Sequence, residues 1–498
     1  MMKPVLCLLT VALLSGCSFG PRVPERQAAP LPPAYSETAG AIPGKGATDG
    51  ETWWRGLGDP LLDRLIADTA LGNLDIAQAE ARIRASDAGI TAAGADGLPS
   101  LTLGASHVTE RQNGSMRTVD GTVTRTGGSL SAAWLLDLFG EVRSQVGSAR
   151  ATREAAVAGA AVARLAVISD MASAYVDARY YQSLKRLSEA RLASMRRTEA
   201  LTRARLHEGL ASDLDLSRAE EASEAIAADI PLYDASFRRS AHRVATLMGR
   251  PAADLVPMLE TASAQPAPAF SADTGVPADL LRNRPDIRRA EMDFEAAVSD
   301  IGYAWSQLFP SITLSGSVTP TYVNTSAKNG SLTTWSFGPQ LRLPIFDGGR
   351  LRANVKIAKA KAEEKEAAWR AAILKAVEDV ENALVSYNRQ KQTLASSNTR
   401  VERARKSLAL ARATEREGLS SLFETLDADR KLKEAEANLA LARRNLALQY
   451  VALNIAVGRG LPGPGVAASA RGEPAAGPVT GAIDAKTTGA TKTALVKG

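Results

Sequence analysis

Cys17 is the residue whose type and position point most directly to a chemical modification. It follows a short signal-like segment in which Lys3 precedes the apolar run from Val5 to Leu14. The two small residues before it complete a pattern that resembles a bacterial lipobox, in which the thiol receives diacylglycerol and cleavage occurs before the cysteine. Residues 1–16 are therefore predicted to be a signal peptide, and a lipid on Cys17 would anchor the mature chain. An ordinary signal peptide with a chance cysteine is the alternative.

Two further features of the sequence indicate the cellular compartment of the mature protein. The second cysteine, Cys7, lies in the segment predicted to be removed, so we expect no disulfide in the mature chain. Ser18, rather than an aspartate, follows Cys17, and by resemblance to the sorting rules for such lipoproteins this favours the outer membrane. Outer-membrane lipid is therefore an expected partner.

Carboxylates lie at matched places behind two glycine turns. The pattern Glu-Gly-Leu-x-Ser occurs twice, and Gly418 follows Gly209 by 209 residues. The acids Asp215 and Glu424 each come three residues after the serine of their copy. This is the spacing of a capping box, in which the acid satisfies backbone N–H groups at a helix start.

Other residues that could do chemistry lack the spacing of a site. The three histidines (His107, His207 and His242) lie in different predicted elements without metal-ligand spacing. The mature sequence offers no nucleophile and base at recognisable spacing, and the glycines at 348 and 349 lack the pattern of a phosphate-binding loop. The net charge of +6 is small and interleaved along helices, which argues against nucleic acid as a partner. We predict neither an enzyme nor a cofactor or metal site.

The elements that carry the glycine turns are duplicated. Residues alternate in polarity after Pro99 and again after Pro310, which follows it by 211 residues, and each stretch predicts a β-hairpin. After each hairpin comes a proline-free helical pattern, about 141–208 and 350–417, each roughly 68 residues and on the order of 100 Å long. In the second pattern apolar residues recur at steps of seven, typical of a coiled coil: Ile373, Val380, Tyr387, Leu394, Val401 and Leu408.

This organisation predicts six segments. They are a signal peptide (1–16), a lipid-anchored extended segment (17–58), a first repeat (59–250), a linker on the equatorial region (251–276), a second repeat (277–460) and a disordered tail (461–498). Each repeat should contain a helix, a β-hairpin, a long helix and a shorter helix, with Asp59 before Pro60 as the first N-cap. Each long helix should lie antiparallel to two short helices stacked end to end.

The two hairpins supply four strands per chain. Each is long enough to cross a membrane as a tilted strand, which takes about 9–11 residues. A transmembrane barrel needs about eight strands or more to close, and lipid does not tolerate an open sheet edge. Strands embedded in a membrane would therefore require oligomerisation, with either two copies supplying eight strands or three copies supplying twelve.

Several short motifs, in a fixed order, carry a family resemblance. They are Trp53-Trp54, Gly58-Asp59-Pro60-Leu61-Leu62, Leu247-Met248-Gly249-Arg250-Pro251, Arg282-Asn283-Arg284-Pro285-Asp286, Phe309-Pro310-Ser311 and Phe346-Asp347-Gly348-Gly349-Arg350. Together they resemble the TolC-type outer-membrane factors, and more narrowly the NodT-like lipoprotein branch, over nearly everything from Cys17 to Gly460. The resemblance implies a mainly α, internally duplicated chain with a transmembrane β part. It implies a homotrimer whose twelve-stranded β-barrel continues into a long coiled-coil helical barrel.

The same resemblance implies partners and site residues. The partners are a periplasmic adaptor (a membrane fusion protein) and an inner-membrane resistance-nodulation-division pump. The adaptor-docking residues are Gly209, Leu210, Ser212, Gly418, Leu419 and Ser421. The pore constriction is at Asp215, Phe423, Glu424 and Asp427. For Asp215 and Glu424, a helix-capping role is as good an explanation as a role in the pore. Asp427 lies one turn further in and is the stronger pore candidate. A ring of such acids in a trimer should raise their pKa values.

Three functions fit the sequence. The favoured one is a passive exit duct for drugs or other small molecules in a tripartite efflux system. The second is an outer-membrane duct for type I protein secretion. The third is a periplasmic coiled-coil lipoprotein that forms no channel, for which two membrane-length hairpins have no use.

Overall fold

A computed structural model describes residues 32–36, 50–111, 113–115, 121–261, 263–268, 280–325 and 328–460. These described residues belong to one compact unit. The predicted signal peptide, Cys17 and the predicted tail lie outside the described residues, so the lipid anchor and the disordered tail stay predictions.

The chain is built from two repeats with the same order of elements. The first contains α1 (Pro60–Gly72), α2 (Leu74–Ala95), β1 (Ser100–Arg111), β2 (Thr122–Leu136), α3 (Glu141–His207) and α4 (Asp213–Leu247). After the short helix α5 (Ala252–Glu260), the second contains α6 (Leu280–Asn283), α7 (Pro285–Ser306), β3 (Ser311–Asn324), β4 (Asn329–Arg342), α8 (Arg350–Arg416) and α9 (Leu422–Ala456). Both long helices have 67 residues and both helices that follow have 35, so the structure carries the predicted duplication.

The helix that precedes each hairpin is broken, whereas the sequence predicts one continuous helix in each place. The first break is at Asn73, whose Nδ2 donates to the Leu247 carbonyl over 2.7 Å. The second is at Arg284, 211 residues later, whose guanidinium donates to the Ala456 carbonyl over 2.9 Å. Each break is therefore tied to the last turn of the 35-residue helix in its own repeat. Local periodicity does not predict such a break, because the partner lies some 170 residues away.

Part of the N-terminal segment is folded, which corrects the prediction of an extended tether. Residues Gly50–Leu57 form a 3₁₀ helix, and Trp53 within it is completely buried. The Tyr450 hydroxyl donates to the Trp53 carbonyl over 3.1 Å. Further upstream, Tyr35 belongs to the same buried cluster. The segment is thus anchored to the core by its aromatic side chains.

The seven-residue pattern of α8 is confirmed as a buried stripe. Ile373, Val380 and Tyr387 are buried in the main core, and Leu394 packs at its edge. Val401 and Leu408 are buried in a second cluster with residues of α9. The predicted N-cap is also present, because Asp59 accepts from the backbone N–H groups of Leu61 and Leu62. The linker contains α5, whose Leu255 and Leu259 are fully buried.

The four strands form one antiparallel sheet in the order β1-β2-β3-β4. The two hairpins pair through β2 and β3, for example at Leu130 and Val318. Within the described chain the outer edges of β1 and β4 pair with no strand. This is the open sheet that the sequence predicts.

Candidate functional site: the helical tip and the two-faced sheet

The sheet has one apolar and one polar face. A row of cross-strand neighbours runs through Leu103, Leu130, Val318 and Trp335, and the row beside it on the opposite face runs through Thr102, Ser131, Ser317 and Ser336. This alternation follows from the two-residue period of a strand. Trp335 is 77% exposed, which would be costly in water and is favourable in lipid. The sheet therefore has the two faces of a transmembrane barrel wall, with an apolar face suited to lipid and a polar face suited to a water-filled interior.

The two glycine turns have the same geometry. We call residues 205–218 and 414–431 the helical tip. Gly209 and Gly418 both have φ of 73°, a left-handed conformation that favours glycine. Leu210 donates from its backbone to the Arg205 carbonyl and Leu419 to the Thr414 carbonyl, which closes each long helix. Their side chains are 77% and 75% exposed, so each turn presents one leucine to its surroundings.

The two helices that follow begin differently. At the start of α4, Ser212 and Asp215 form a complete capping box, and the hydrogen bond from the Ser212 hydroxyl holds the pKa of Asp215 below its ordinary value. At the start of α9, Ser421 makes no side-chain cap bond to any residue in the described ranges. The Glu424 carboxylate is exposed and bonds to no other described residue. The predicted capping role is thus present for Asp215 and not for Glu424.

Asp427 is paired with two cations of its own helix. Arg430 and Lys431 each approach its carboxylate at 2.6 Å. The hydrogen bond from Arg430 and then that from Lys431 lower the pKa of Asp427. Within one chain this is opposite to the direction expected for a ring of like charges. Arg430 and Lys431 follow Asp427 at the three- and four-residue spacing of a helix, so the sequence alone permits this pairing.

Phe423 lies between the two repeats. Its ring is half-exposed, and the Arg218 guanidinium of α4 sits over it at 5.0 Å from the centroid. Beside this pair is a cavity of about 270 Å³, whose lining includes Met195, Ile226, Leu426 and Asp427. The structure therefore brings Phe423 and Asp427 to one surface at the contact between α4 and α9.

Arg191 of α3 is a residue that sequence reasoning missed. Only 10% of its side chain is exposed, and it reaches Asp429 at 3.5 Å and Glu436 at 3.2 Å on α9. Its partners lie more than 230 residues away, so no local pattern in the sequence could have found them.

A second missed cluster ties the linker to the middle of the long helix. Arg179 is 1% exposed and donates to the carbonyls of Leu259 and Thr261 at the end of α5. It also donates to the Tyr175 hydroxyl, which in turn donates to Asp59 over 2.6 Å. Burial, the largest cause, raises the pKa of Tyr175, so its proton stays on the oxygen and the bond to Asp59 persists.

Comparison with known proteins agrees with this geometry. The profile of the outer membrane efflux protein family matches residues 65–250 and again residues 276–459, one match for each repeat. The chain belongs to the outer membrane efflux protein family. It is 43% identical to Nodulation protein T of Rhizobium leguminosarum bv. trifolii, over 90% of this chain and 95% of that protein. It is 31% identical to the toluene efflux pump outer membrane protein TtgC of Pseudomonas putida, over 92% of this chain and 96% of that protein.

Solved structures of outer membrane efflux proteins have the same fold. The outer-membrane channel OprN superposes with a TM-score of 0.78 at 31% identity, over 88% of this chain and 99% of that chain. The predicted fold class is confirmed: a mainly α, internally duplicated chain with two long helices and one four-stranded sheet, in the fold of outer-membrane channels. The protein is therefore an outer-membrane efflux protein, and its solved relative OprN is an outer-membrane channel.

Proposed function

We propose that three copies of this chain form the outer-membrane exit duct of a tripartite efflux system for drugs or other small molecules. The observation that carries the proposal is the two-faced sheet with both outer edges unpaired in the described chain. Three four-stranded sheets joined edge to edge make a closed twelve-stranded barrel with the serine and threonine face inside. The efflux names of the relatives, such as that of TtgC, support small-molecule cargo.

Two neighbouring residues on β3 give a matched test of the barrel. Val318 lies on the apolar face and Ser317 on the polar face near the middle of the strand. Val318→Arg should prevent trimer assembly in the membrane, since a charge facing lipid at mid-depth costs about 2–4 kcal/mol. Ser317→Arg should assemble and alter conductance in planar bilayers. Equal assembly of both variants, or no channel from the wild type, would refute the barrel.

The proposed partners dock at the helical tip. Gly209, Leu210, Ser212, Gly418, Leu419 and Ser421 would form the surface for a periplasmic adaptor, which links the duct to a resistance-nodulation-division pump. Exposed leucines on two turns of equal geometry support this assignment, since such side chains suit a partner's apolar surface.

The docking surface can be tested in cells that need the pump for drug resistance. Leu210→Asp combined with Leu419→Asp should abolish resistance and leave bilayer conductance intact. The control is Leu201→Asp with Leu410→Asp, which changes leucines of comparable exposure nine residues earlier on α3 and α8. Loss of resistance in the control, or its survival in the tip variant, would contradict docking at the turns.

For the pore we propose a constriction lined by Asp215, Phe423, Glu424 and Asp427. The geometry at the start of α9 favours Glu424 as the residue with a free charge, because Asp427 already pairs with Arg430 and Lys431. For membrane attachment we propose a lipid on Cys17. Labelling with radioactive palmitate should mark the wild type and Cys7→Ser, and should fail for Cys17→Ser.

A further inference from the structure

The polar face of the sheet carries few charges. Among the paired strand residues on that face, the charged ones are Glu110, Arg125 and Arg342. Glu110 and Arg125 form an ion pair with each other at one end of the sheet. Arg342 lies at the other end, opposite Ser311, where the sheet meets the helices. It forms no ion pair with any residue of the described ranges, so its charge is left uncompensated there.

A cavity of about 230 Å³ lies between this end of the sheet and the starts of the long helices. Its lining includes Arg342 at the end of β4 and Arg350 at the start of α8. The polar side chains of Ser311 and Gln307 line it as well. Arg350 is exposed, and it too pairs with no acid in the part of the chain that the structure describes. Two arginines that lack acidic partners therefore share one cavity.

The acids that line the same cavity have other partners. The Asp137 carboxylate accepts a hydrogen bond from the backbone N–H of Arg143 over 3.0 Å and another from its Nε over 3.3 Å. Glu141 lies in the first turn of α3, where the helix dipole stabilises a negative charge. Both acids therefore stabilise the start of α3 and do not neutralise the two arginines.

The two arginines distinguish the second repeat from the first. The first repeat has Leu135, 207 residues before Arg342, and Glu141, 209 residues before Arg350. The helix dipole disfavours a cation in the first turn, yet α8 begins with Arg350 and has no acid in that turn. The second repeat thus has a residue that weakens its own helix start where the first has a stabilising one. Such a break with a local rule indicates a role other than folding.

The next copy in the proposed trimer would add one acid to this site. In a ring of three chains, β4 and α8 of one copy face β1 and α2 of the next, as β2 and α3 face β3 and α7 within the chain. The equivalent of Gln307 is then Asp96 of the next copy, 211 residues earlier. Two arginines with one added acid leave the site positively charged.

We propose that Arg342 and Arg350 form an anion-binding site on the inner wall of the duct, where the barrel meets the helices. Its ligand is a cargo molecule that carries a carboxylate or a phosphate, because a guanidinium can donate two parallel hydrogen bonds to such a group. Three copies place six arginines around the duct, and rings of arginine favour anions in pores. The inference rests on the proposed trimeric channel, whose interior is the polar face of the sheet.

Block of single channels by inorganic tripolyphosphate and by citrate tests this site in the full-length trimer. Both anions should reduce the current through wild-type channels in planar bilayers. Arg342→Gln should weaken the block several-fold, and Arg342→Lys should retain most of it. The matched control is Glu110→Gln with Arg125→Gln, which removes the compensated pair from the same face and should leave the block unchanged. Asp96→Asn removes the added acid and should strengthen the block.

Equal block in the wild type and in Arg342→Gln would overturn the proposal, as would an equal loss in the control. Should Arg342→Gln form no trimers, Arg350→Gln and Asp96→Asn decide in its place. The block must then fall in the first and rise in the second, and any other result overturns the site.

A second arm separates soluble cargo from a lipid headgroup as the source of the anion. Channels are recorded in phosphatidylcholine with and without phosphatidylglycerol, at a salt concentration that screens the surface charge. We expect the same block in both membranes. Loss of the block in the anionic membrane would assign the site to lipid and overturn its role in cargo binding. Wild-type protein that forms no channels would instead refute the proposed function, and the inference with it.

Discussion

Phe139 of the first repeat stacks on Phe309 of the second, with ring centroids 4.9 Å apart and planes inclined by 11°. The pair joins the end of one hairpin to the start of the next. Its sequence equivalents are Phe346, 207 residues after Phe139, and Leu98, 211 residues before Phe309. Phe346 is 91% exposed and Leu98 is 65% exposed in the single chain. Two large apolar side chains are therefore left without the contact that their counterparts make.

We predict that Phe346 of one chain packs on Leu98 of the next. Phe346→Cys combined with Leu98→Cys should therefore give covalent dimers and trimers with a short thiol crosslinker. Phe139→Cys with Phe309→Cys is the matched control and should give a link within the chain, visible only as a change in monomer mobility. Covalent oligomers from the control alone would contradict the predicted arrangement of copies.

The charges behind the second glycine turn should set ion selectivity. Glu424→Gln should lower the preference for cations, because its carboxylate is exposed and bonds to no other described residue. Arg430→Gln with Lys431→Gln should raise that preference, because the Asp427 carboxylate loses both of its partners. Reversal potentials in a salt gradient measure both effects. If neither variant moves the reversal potential, these residues do not line the pore.

Arg284 should be important for stability and for its dependence on pH. Its side chain is 11% exposed and bonds Asp286, Asp379 and the Ala456 carbonyl. Burial alone would raise the pKa of Asp286, but the hydrogen bond and charge of Arg284 outweigh burial and lower it below 3.8. The pair therefore stabilises the fold above that ordinary pKa, and the stabilisation is lost as pH falls through the lowered value.

Arg284→Ala should destabilise the chain by about 2 kcal/mol, less than a fully buried pair would cost because Asp286 is 40% exposed. It should also reduce the loss of stability in acid. Arg288→Ala is the control, since Arg288 is 53% exposed and pairs across one turn with Glu291. Trimer melting temperatures near neutral pH and in acid measure both variants. Equal melting temperatures would contradict the role of Arg284 at the helix break.

The two helix starts should respond differently to the same substitution. Ser212→Ala removes a formed capping box and should cost about 1 kcal/mol locally. Ser421→Ala removes a serine that makes no cap bond with the described residues and should cost much less. Hydrogen exchange of the first turns of α4 and α9 reports these local differences. Equal protection losses in the two variants would show that the helix starts are alike.

The sequence by itself determined the repeat, the four strands and the lengths of the two long helices. These features follow from periods of two and seven residues and from glycine and proline at element ends, all of which are local. The pairing of Asp427 can also be predicted from the sequence, because Arg430 and Lys431 follow it at helical spacing. The sequence predicts a capping box at both Ser212 and Ser421, but among the described residues it forms at Ser212 and not at Ser421. The spacing permits such a cap without requiring it.

Only the tertiary structure decided where the helices break and how the repeats are joined. Asn73 and Arg284 end their helices at residues whose side chains bond distant carbonyls, at Leu247 and Ala456. Arg191 is an ordinary helix residue in sequence, and it becomes a buried link because α9 packs on α3. Such contacts depend on which faces meet in space, and the free energy of burying a charge is set by that packing rather than by neighbours along the chain.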